Sequence, residues 1–341
     1  MKIFIIGGTG FISTRLTELL LKSGHEVTVF TRGKTKPLFT GSGDLNLIHG
    51  DRKDVRLLSE IAGKHDYDVL YDMIAYYPKD SEQIVDIFSG KTGRIIHCST
   101  ISVYMISNDI QPPVTEDQWD RPIMQHWDRN PFGMDYGINK RKCEEVLWNA
   151  HQKGKIKVSM IRPTYVSGPN DLAKRDFFWI ERIMDQEPLL VPGCGDHAFQ
   201  SVFVDDVARA FSDLLDNEST IGEAYNITAE EIFSLNDYIR ALARILKKEV
   251  ELVHINQEEF DKLPISYNPM GDVFPFNVRR TVVFSLDKAK RDLKYRSTPF
   301  NKWMAETINW YLTKFQSHSV GYEYRLQELQ IIDRIRNKKI N

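Results

Sequence analysis

The sequence predicts an α/β chain built on a doubly wound parallel sheet. Three observations point to it. Short β-rich runs recur through the first half, several almost continuously apolar, as strands buried on both faces of a parallel sheet are. Segments of helical periodicity separate them, giving the β–α alternation of crossover units. A glycine-rich turn joins the first such strand to the first helix.

In order, the strand-like runs are KIFII (Lys2 to Ile6), EVTVF (Glu26 to Phe30), LNLI (Leu45 to Ile48), DVLYDM (Asp68 to Met73), GRIIHC (Gly93 to Cys98) and KVSMI (Lys157 to Ile161). Helical patterns lie between them, including Phe11 to Ser23, Ser81 to Phe88 and Tyr136 to Gln152. After Pro163 the pattern is mixed: a helix at Asp176 to Gln186, a strand at Phe199 to Val204, a helix at Asp205 to Asp216, a strand at EAYNI and a helix at Leu235 to Leu246. The expected organisation is therefore a main domain over 1–167 with returns at about 198–230. A smaller mixed α/β substrate lobe covers 168–197 and 231–316, and a helical tail covers 317–341. In that tail Tyr322, Leu326, Leu329, Ile332 and Ile335 recur at helical spacing and predict a helix packed on the body or on another subunit.

Bulk properties narrow the class. The chain has 341 residues, with 45 Lys plus Arg against 47 Asp plus Glu and a formal charge of -2. That balance gives no general electrostatic reason for nucleic-acid binding, and only a local basic patch would supply one. The 42% hydrophobic content supports a substantial core. The three cysteines, Cys98, Cys143 and Cys194, form no CxxC pair and have no nearby histidine cluster. Neither a disulfide framework nor a metal site is expected, and a reducing cytoplasm fits. No signal-peptide pattern and no apolar run of membrane-spanning length is present.

The turn reads FIIGGTGFIS. Gly7 permits the tight turn and Gly10 lets the backbone approach a pyrophosphate. Ser13 stands where a third glycine would ease helix–strand packing, which weakens that packing role without removing it. The amides of Phe11 and Ile12 then open a helix whose N-terminus suits phosphate. This is a Rossmann-like signature, since the turn follows a predicted strand and opens an apolar helix. An acidic residue about 20 positions on would bind the adenosine ribose. Instead the second strand ends in FTRGKTK, with Thr31 and Arg32 at that place and Lys34 and Lys36 behind. An arginine there receives a 2′-phosphate that a carboxylate would repel, so NADP is favoured over NAD.

Several ordered motifs together resemble the extended short-chain dehydrogenase/reductase family, an NAD-dependent epimerase/dehydratase group. They are GGTGFIS, GDRKD (Gly50 to Asp54), HCSTISVY, YGINK, IRPTYVSGP (Ile161 to Pro169) and VFVDDVARAF (Val202 to Phe211). The resemblance covers the chain up to its tail. It implies that Asp51 and Arg52 contact adenine and that Ala75 lies beside the cofactor. It further implies that Pro163 and Tyr165 line the nicotinamide and substrate pocket, and that Asp205 and Asp206 serve structure at a helix start. Thr100, Tyr136 and Lys140 fall on the family's catalytic Ser/Thr, Tyr and Lys. Family members also pair through helices of the main domain, which implies a homodimer.

The chemistry of that trio is physically coherent. A free phenol has a pKa of about 10, too high for a base at neutral pH, and a neighbouring ammonium favours its phenolate. Tyr136 and Lys140 are four residues apart and share one helix face. Tyr136 would then pass a proton to or from a substrate oxygen while hydride moves. Lys140 would bond the nicotinamide ribose and Thr100 the substrate oxygen. Ile101 and Ser102 stand where dehydratases carry an acid pair and decarboxylases a glutamate, so epimerisation or simple reduction remains. Phe199, Gln200 and Ser201 replace a diphosphate-binding RDF, with Arg175 or Arg182 as candidate substitutes. The sequence thus predicts an NAD(P)-dependent nucleotide-sugar epimerase or related reductase. The alternative is a non-catalytic nucleotide-sensing or RNA-binding protein on the same scaffold. The Lys34–Lys36 loop and the basic tail (Arg334, Arg336, Lys338, Lys339) keep that alternative open.

Overall fold

The computed structural model describes residues 1–35, 43–266, 274–315 and 317–340, so Lys36 lies outside the described residues, as do the side chains of Lys338 and Lys339. The chain begins with β1 (Lys2–Ile6), α1 (Phe11–Lys22), β2 (Glu26–Thr31), β3 (Leu45–His49), α2 (Val55–Lys64), β4 (Tyr67–Asp72), α3 (Pro78–Phe88) and β5 (Thr92–Cys98). Next come α4 (Ser102–Met105), α5 (Met134–Gln152), β6 (Val158–Pro163), β7 (Tyr165–Ser167), α6 (Arg175–Met184), β8 (Leu189–Pro192) and β9 (Ala198–Phe199). The remainder is β10 (Ser201–Phe203), α7 (Val204–Asp213), β11 (Glu223–Ile227), β12 (Phe233–Ser234), α8 (Leu235–Leu246) and β13 (Leu252–Ile255). It is completed by α9 (Gln257–Asp261), α10 (Asp287–Leu293), α11 (Phe300–Lys314) and α12 (Arg325–Ile340).

Two compact units result. The first comprises Met1–Thr164, Val204–Thr228 and Phe284–Ser297; the second comprises Tyr165–Phe203, Ala229–Val283 and Thr298–Asn341. The segment 284–297, expected with the smaller lobe, belongs to the first unit. There Phe284 bridges to Val114 and the Tyr295 hydroxyl donates to the Thr228 carbonyl at 2.9 Å.

The first unit holds a seven-stranded parallel sheet in the order β11-β6-β5-β4-β1-β2-β3. The order reverses between β1 and β4, so their C-terminal ends open the crevice where such sheets take ligands. One sheet face carries Phe4, Leu70 and Ile95 into a core with Leu58 of α2, Ile84 and Phe88 of α3 and Leu147 of α5. Phe4 stacks on Tyr67 there at 4.9 Å between centroids. Tyr71, next after Leu70 and so on the opposite face, donates its hydroxyl to the Phe211 carbonyl of α7 at 3.0 Å. Helices thus cover both faces, which is why these strands are apolar along their length.

The second unit has three two-stranded pairings, β10 with β7, β12 with β9 and β13 with β8. In α12 the apolar stripe expected from the sequence is buried in part: Ile332 is 1% exposed, whereas Leu326 is 75% exposed. Ion pairs hold it as well, Arg182 with Glu328 and Arg325 with Asp185, both partly or wholly buried. Among the described residues no helix is long and apolar enough to cross a membrane.

Candidate active site

The phosphate-binding turn sits at the C-terminal end of β1. Gly7 has φ +89°, and a Cβ on it would come within 2.5 Å of Ile74 Cγ2; one on Gly8 would lie 2.8 Å from Val29. Only glycine fits there. Ser13 contributes more than a small volume: its hydroxyl donates to the Gly7 carbonyl at 2.5 Å and accepts the Gly10 N–H at 2.9 Å. A side-chain bond across the turn thus accompanies the relaxed packing expected of a third glycine. The turn fits a dinucleotide pyrophosphate, because positions 7, 8 and 10 carry no side chain and Phe11 and Ile12 begin α1, whose first amides lack intrahelical acceptors. Arg32 is exposed just beyond β2, and Thr31 joins Thr9 through a 3.1 Å hydroxyl contact.

Of the two residues expected at adenine, Asp51 is exposed and its carboxylate accepts the Lys53 N–H at 2.9 Å. Arg52 is different. Its guanidinium is buried and pairs with Asp72 at 2.8 and 3.2 Å, bonds the Asp80 carbonyl at 2.9 Å and faces the Asp80 carboxylate at 3.4 Å. Pulling this guanidinium away would leave two carboxylates buried and unpaired, so its charge is held in place. Arg52 therefore frames the site from inside.

Thr100 follows β5, with its hydroxyl donating to Ser102 Oγ at 3.2 Å and accepting the Ser102 N–H at 3.2 Å. Helix α5 closes on this segment at Gly137, where a Cβ would meet the Ser102 carbonyl and Ile106 at 2.6 Å. The glycine inside YGINK is thus what lets α5 approach. Tyr136 is 40% exposed, while Lys140, one turn on, is 2% exposed. The Lys140 ammonium donates to the Ala75 carbonyl at 2.8 Å and the Cys98 carbonyl at 2.5 Å, and it lies 3.3 Å from His97 Nε2. Three acceptors match three protons. The ribose bond expected of Lys140 therefore has to displace one of them, and His97 is the longest contact.

His97 is fully buried on β5 beside Asp72 of β4. Burial, then the charges of Lys140, Arg52 and Arg162, holds its imidazole well below the ordinary range. It is neutral, and Nε2 must offer a lone pair to the ammonium. Its Nδ1 has no partner among the described residues. Burial also pushes the Cys98 and Cys143 thiols up to about 11, so neither is a nucleophile near neutrality.

A buried network carries the floor of the site. Glu144, one turn beyond Lys140, takes Arg162 Nε at 2.9 Å and Nη2 at 2.6 Å and also accepts the Ser99 hydroxyl. Arg162 further donates to Tyr104 Oη at 2.5 Å and the Glu116 carbonyl at 2.9 Å, and Tyr104 donates to Asn226 at 2.7 Å. The residue preceding Thr100 is thereby tied to the helix bearing Tyr136 and Lys140. Glu144 continues the same four-residue spacing and was legible in YGINKRKCE; Asp72 and His97 were not, because only strand register brings them together. Pro163 closes β6, its carbonyl accepting the Ile101 N–H at 3.1 Å. Asp205 pairs with Arg15, and Asp206 bonds Arg209 at 2.6 Å, so both brace α7.

In the second unit Tyr165 packs edge-on against Phe276 at 5.2 Å. Arg182 is unsuited to a substrate phosphate: it is buried, paired with Glu328 and stacked over Phe178 at 3.4 Å. Arg175 stacks on Tyr165 at 5.4 Å. A cavity of about 500 Å³ in this unit is lined by Pro192, Gly193, His197, His254, Asn277 and Arg279, among others. Arg279, which the sequence reading passed over, pairs there with Asp261 at 2.6 and 2.8 Å.

A profile of the NAD-dependent epimerase/dehydratase family matches residues 3–228. The chloroplast stem-loop binding protein of 41 kDa b of Arabidopsis thaliana is 32% identical over 308 residues, which span 86% of this chain and 75% of that protein. The UDP-N-acetyl-alpha-D-glucosaminuronate decarboxylase of Bacillus cytotoxicus is 25% identical, over 91% of this chain and 97% of its own. The structure of UDP-glucuronic acid 4-epimerase from Bacillus cereus in complex with NAD superposes with a TM-score of 0.70 at 20% identity, over 93% and 100% of the two chains, and so shares the fold. With a seven-stranded parallel sheet, a glycine turn at β1 and a profile match across most of the first unit, this chain belongs to the NAD-dependent epimerase/dehydratase family, enzymes of the extended short-chain dehydrogenase/reductase type.

Proposed function

We propose that this protein catalyses reversible hydride transfer at a hydroxyl or ketone carbon of a nucleotide sugar, as an epimerase or a related reductase. What supports this reading is that the buried Lys140 ammonium is held by the carbonyls that follow β4 and end β5, with Tyr136 one turn before it on α5. Gly137 closes on Ser102, two residues after Thr100, and no carboxylate follows Thr100. A bound dinucleotide would supply the hydride acceptor and donor. Tyr136 holds or moves the proton at the substrate oxygen, Lys140 keeps a positive charge beneath it, and Thr100 orients that oxygen. Ile101 and Ser102 give no second acid or base, so elimination and decarboxylation lack their groups. The first unit serves as the dinucleotide unit and the second as the substrate unit, whose cavity of about 500 Å³ supports that reading. Arg32, exposed where an acidic ribose ligand would stand, favours NADP over NAD. Comparing NADPH with NADH affinity tests that preference, and equal affinities would remove it.

Tyr136→Phe tests the whole reading. It should cut hydride transfer by about 10²–10⁴-fold while dinucleotide affinity stays at the parent level; undiminished turnover sinks the assignment. A second reading follows from the Arabidopsis relative, whose name describes stem-loop binding. Titrating a stem-loop RNA at two salt concentrations separates them, since steeply salt-dependent binding without hydride transfer favours the RNA reading.

A further inference from the structure

The loop after β4 holds an aromatic side chain that the chemistry above does not use. The Ala75 carbonyl accepts a bond from Lys140, which places the next residue, Tyr76, beside the candidate proton-transfer pair. The Tyr76 ring lies 6.4 Å from the Tyr136 ring, tilted by 46°. It remains 51% exposed.

The backbone beneath this ring is firmly held. The N–H groups of Tyr76 and Tyr77 both donate to one oxygen of Asp80, at 2.9 and 3.0 Å. The other Asp80 oxygen faces Arg52, which Asp72 holds in turn. A buried ion-pair network therefore fixes the backbone that carries a half-exposed aromatic. Such preorganisation does little for an idle surface residue and much for one that must meet a ligand without losing further entropy. Burial, followed by Cys98 and Asp72, raises the phenol's pKa, with Arg52 and Arg32 opposing. The Tyr76 hydroxyl is thus a proton-bearing donor at neutral pH, and it sits within electrostatic reach of the Arg32 charge as well as beside Tyr136.

We propose that Tyr76 binds the nicotinamide-ribose half of the dinucleotide, its ring closing over that half beside Tyr136 and its hydroxyl donating a hydrogen bond to it. This rests on reading the first unit as the dinucleotide-binding unit. Tyr76 is a cofactor-retention residue, so it governs how long the dinucleotide stays bound. That residence separates an enzyme that recycles its cofactor from one that exchanges it.

The test is a binding titration of the full chain with NADH, NADPH and ADP, comparing the parent protein with Tyr76→Ala and Tyr76→Phe. Losing an aromatic contact and a hydrogen bond should weaken the preferred dinucleotide about tenfold or more in Tyr76→Ala and speed its dissociation. Tyr76→Phe, which keeps the ring, should lose only about threefold. ADP, which lacks the nicotinamide half, should bind all three proteins equally. Unchanged dinucleotide affinity in Tyr76→Ala overturns the proposal, and so does a parallel loss of ADP, which reports a disturbed turn instead. If the parent protein binds neither dinucleotide, the underlying dinucleotide reading fails, and the role of Tyr76 with it.

Discussion

Replacing Glu144 by leucine should expose how strongly the floor of the site depends on one carboxylate. Glu144 and Arg162 are 0% and 1% exposed, and the carboxylate takes two bonds from the guanidinium and one from Ser99. Glu144→Leu leaves the Arg162 charge with the Tyr104 hydroxyl, the Glu116 carbonyl and the rings of Tyr104 and Trp119, none of them an anion. Stranding a buried charge in this way costs about 3–5 kcal/mol. At a urea dependence of about 3 kcal/mol per molar, the unfolding midpoint should fall by about 1 M or more. Hydrogen exchange of β5 and β6 peptides is the assay of choice, because it reports on the first unit directly whatever the second unit does. Glu144→Leu combined with Arg162→Leu should recover much of the loss, since an apolar pair of similar volume replaces a buried ion pair at little net cost. A loss under about 1 kcal/mol in the single variant, or no recovery in the double, would refute the reasoning.

Other expectations follow from single positions. Gly137→Ala puts a Cβ within 2.6 Å of the Ser102 carbonyl, which forces α5 off the Thr100 segment. It should lower hydride transfer more than it lowers ADP binding, and equal losses in steady-state rate and ADP affinity would contradict it. In the second unit, burial and then Asp171 outweigh bonds from Tyr238 and Ser167 and push the Asp176 carboxyl up to about 7. The folded state therefore holds an extra proton between the unfolded value of about 4 and pH 7. Stability falls as pH rises through that window and levels off above it. Asp176→Asn should gain on the parent between pH 5 and pH 8, by on the order of a few kcal/mol, measured by urea unfolding at both values. A difference independent of pH would rule the linkage out.

Much of the first unit was legible because each of its strands is short, apolar and bounded by polar turns. KIFII coincides with β1, and the other five runs overlap β2 to β6 with their ends displaced by no more than two residues. The four-residue step from Tyr136 to Lys140 needed only helix geometry. What stayed hidden depends on register and tertiary packing. Nothing local in GDRKD announced that the Arg52 guanidinium pairs with Asp72, which the sheet places beside it, and with Asp80, which α3 brings. His97 reaches Lys140 because β5 and α5 pack together, and no local pattern encodes that. In the tail, helical spacing found the buried Ile332 but not that Arg325 and Glu328 also face inward while Leu326 does not. Helix α11 went unseen although Phe300, Trp303, Met304, Ile308 and Tyr311 recur at helical spacing and are buried, so its signal was present in the sequence.

The proposal's central claim is that a hydride moves between the sugar carbon and the dinucleotide, with Tyr136 moving only the hydroxyl proton. A UDP-hexose carrying deuterium at the carbon of the reacting hydroxyl tests it directly when turnover is run in ordinary water and, unlabelled, in heavy water. The expected result is that the deuterium stays on the product carbon or passes to the dinucleotide in the first case, and that no solvent deuterium enters at carbon in the second, with Tyr136→Phe slowing both about 10²–10⁴-fold. Loss of the label to solvent, uptake of solvent deuterium at that carbon, or undiminished turnover by Tyr136→Phe would contradict it.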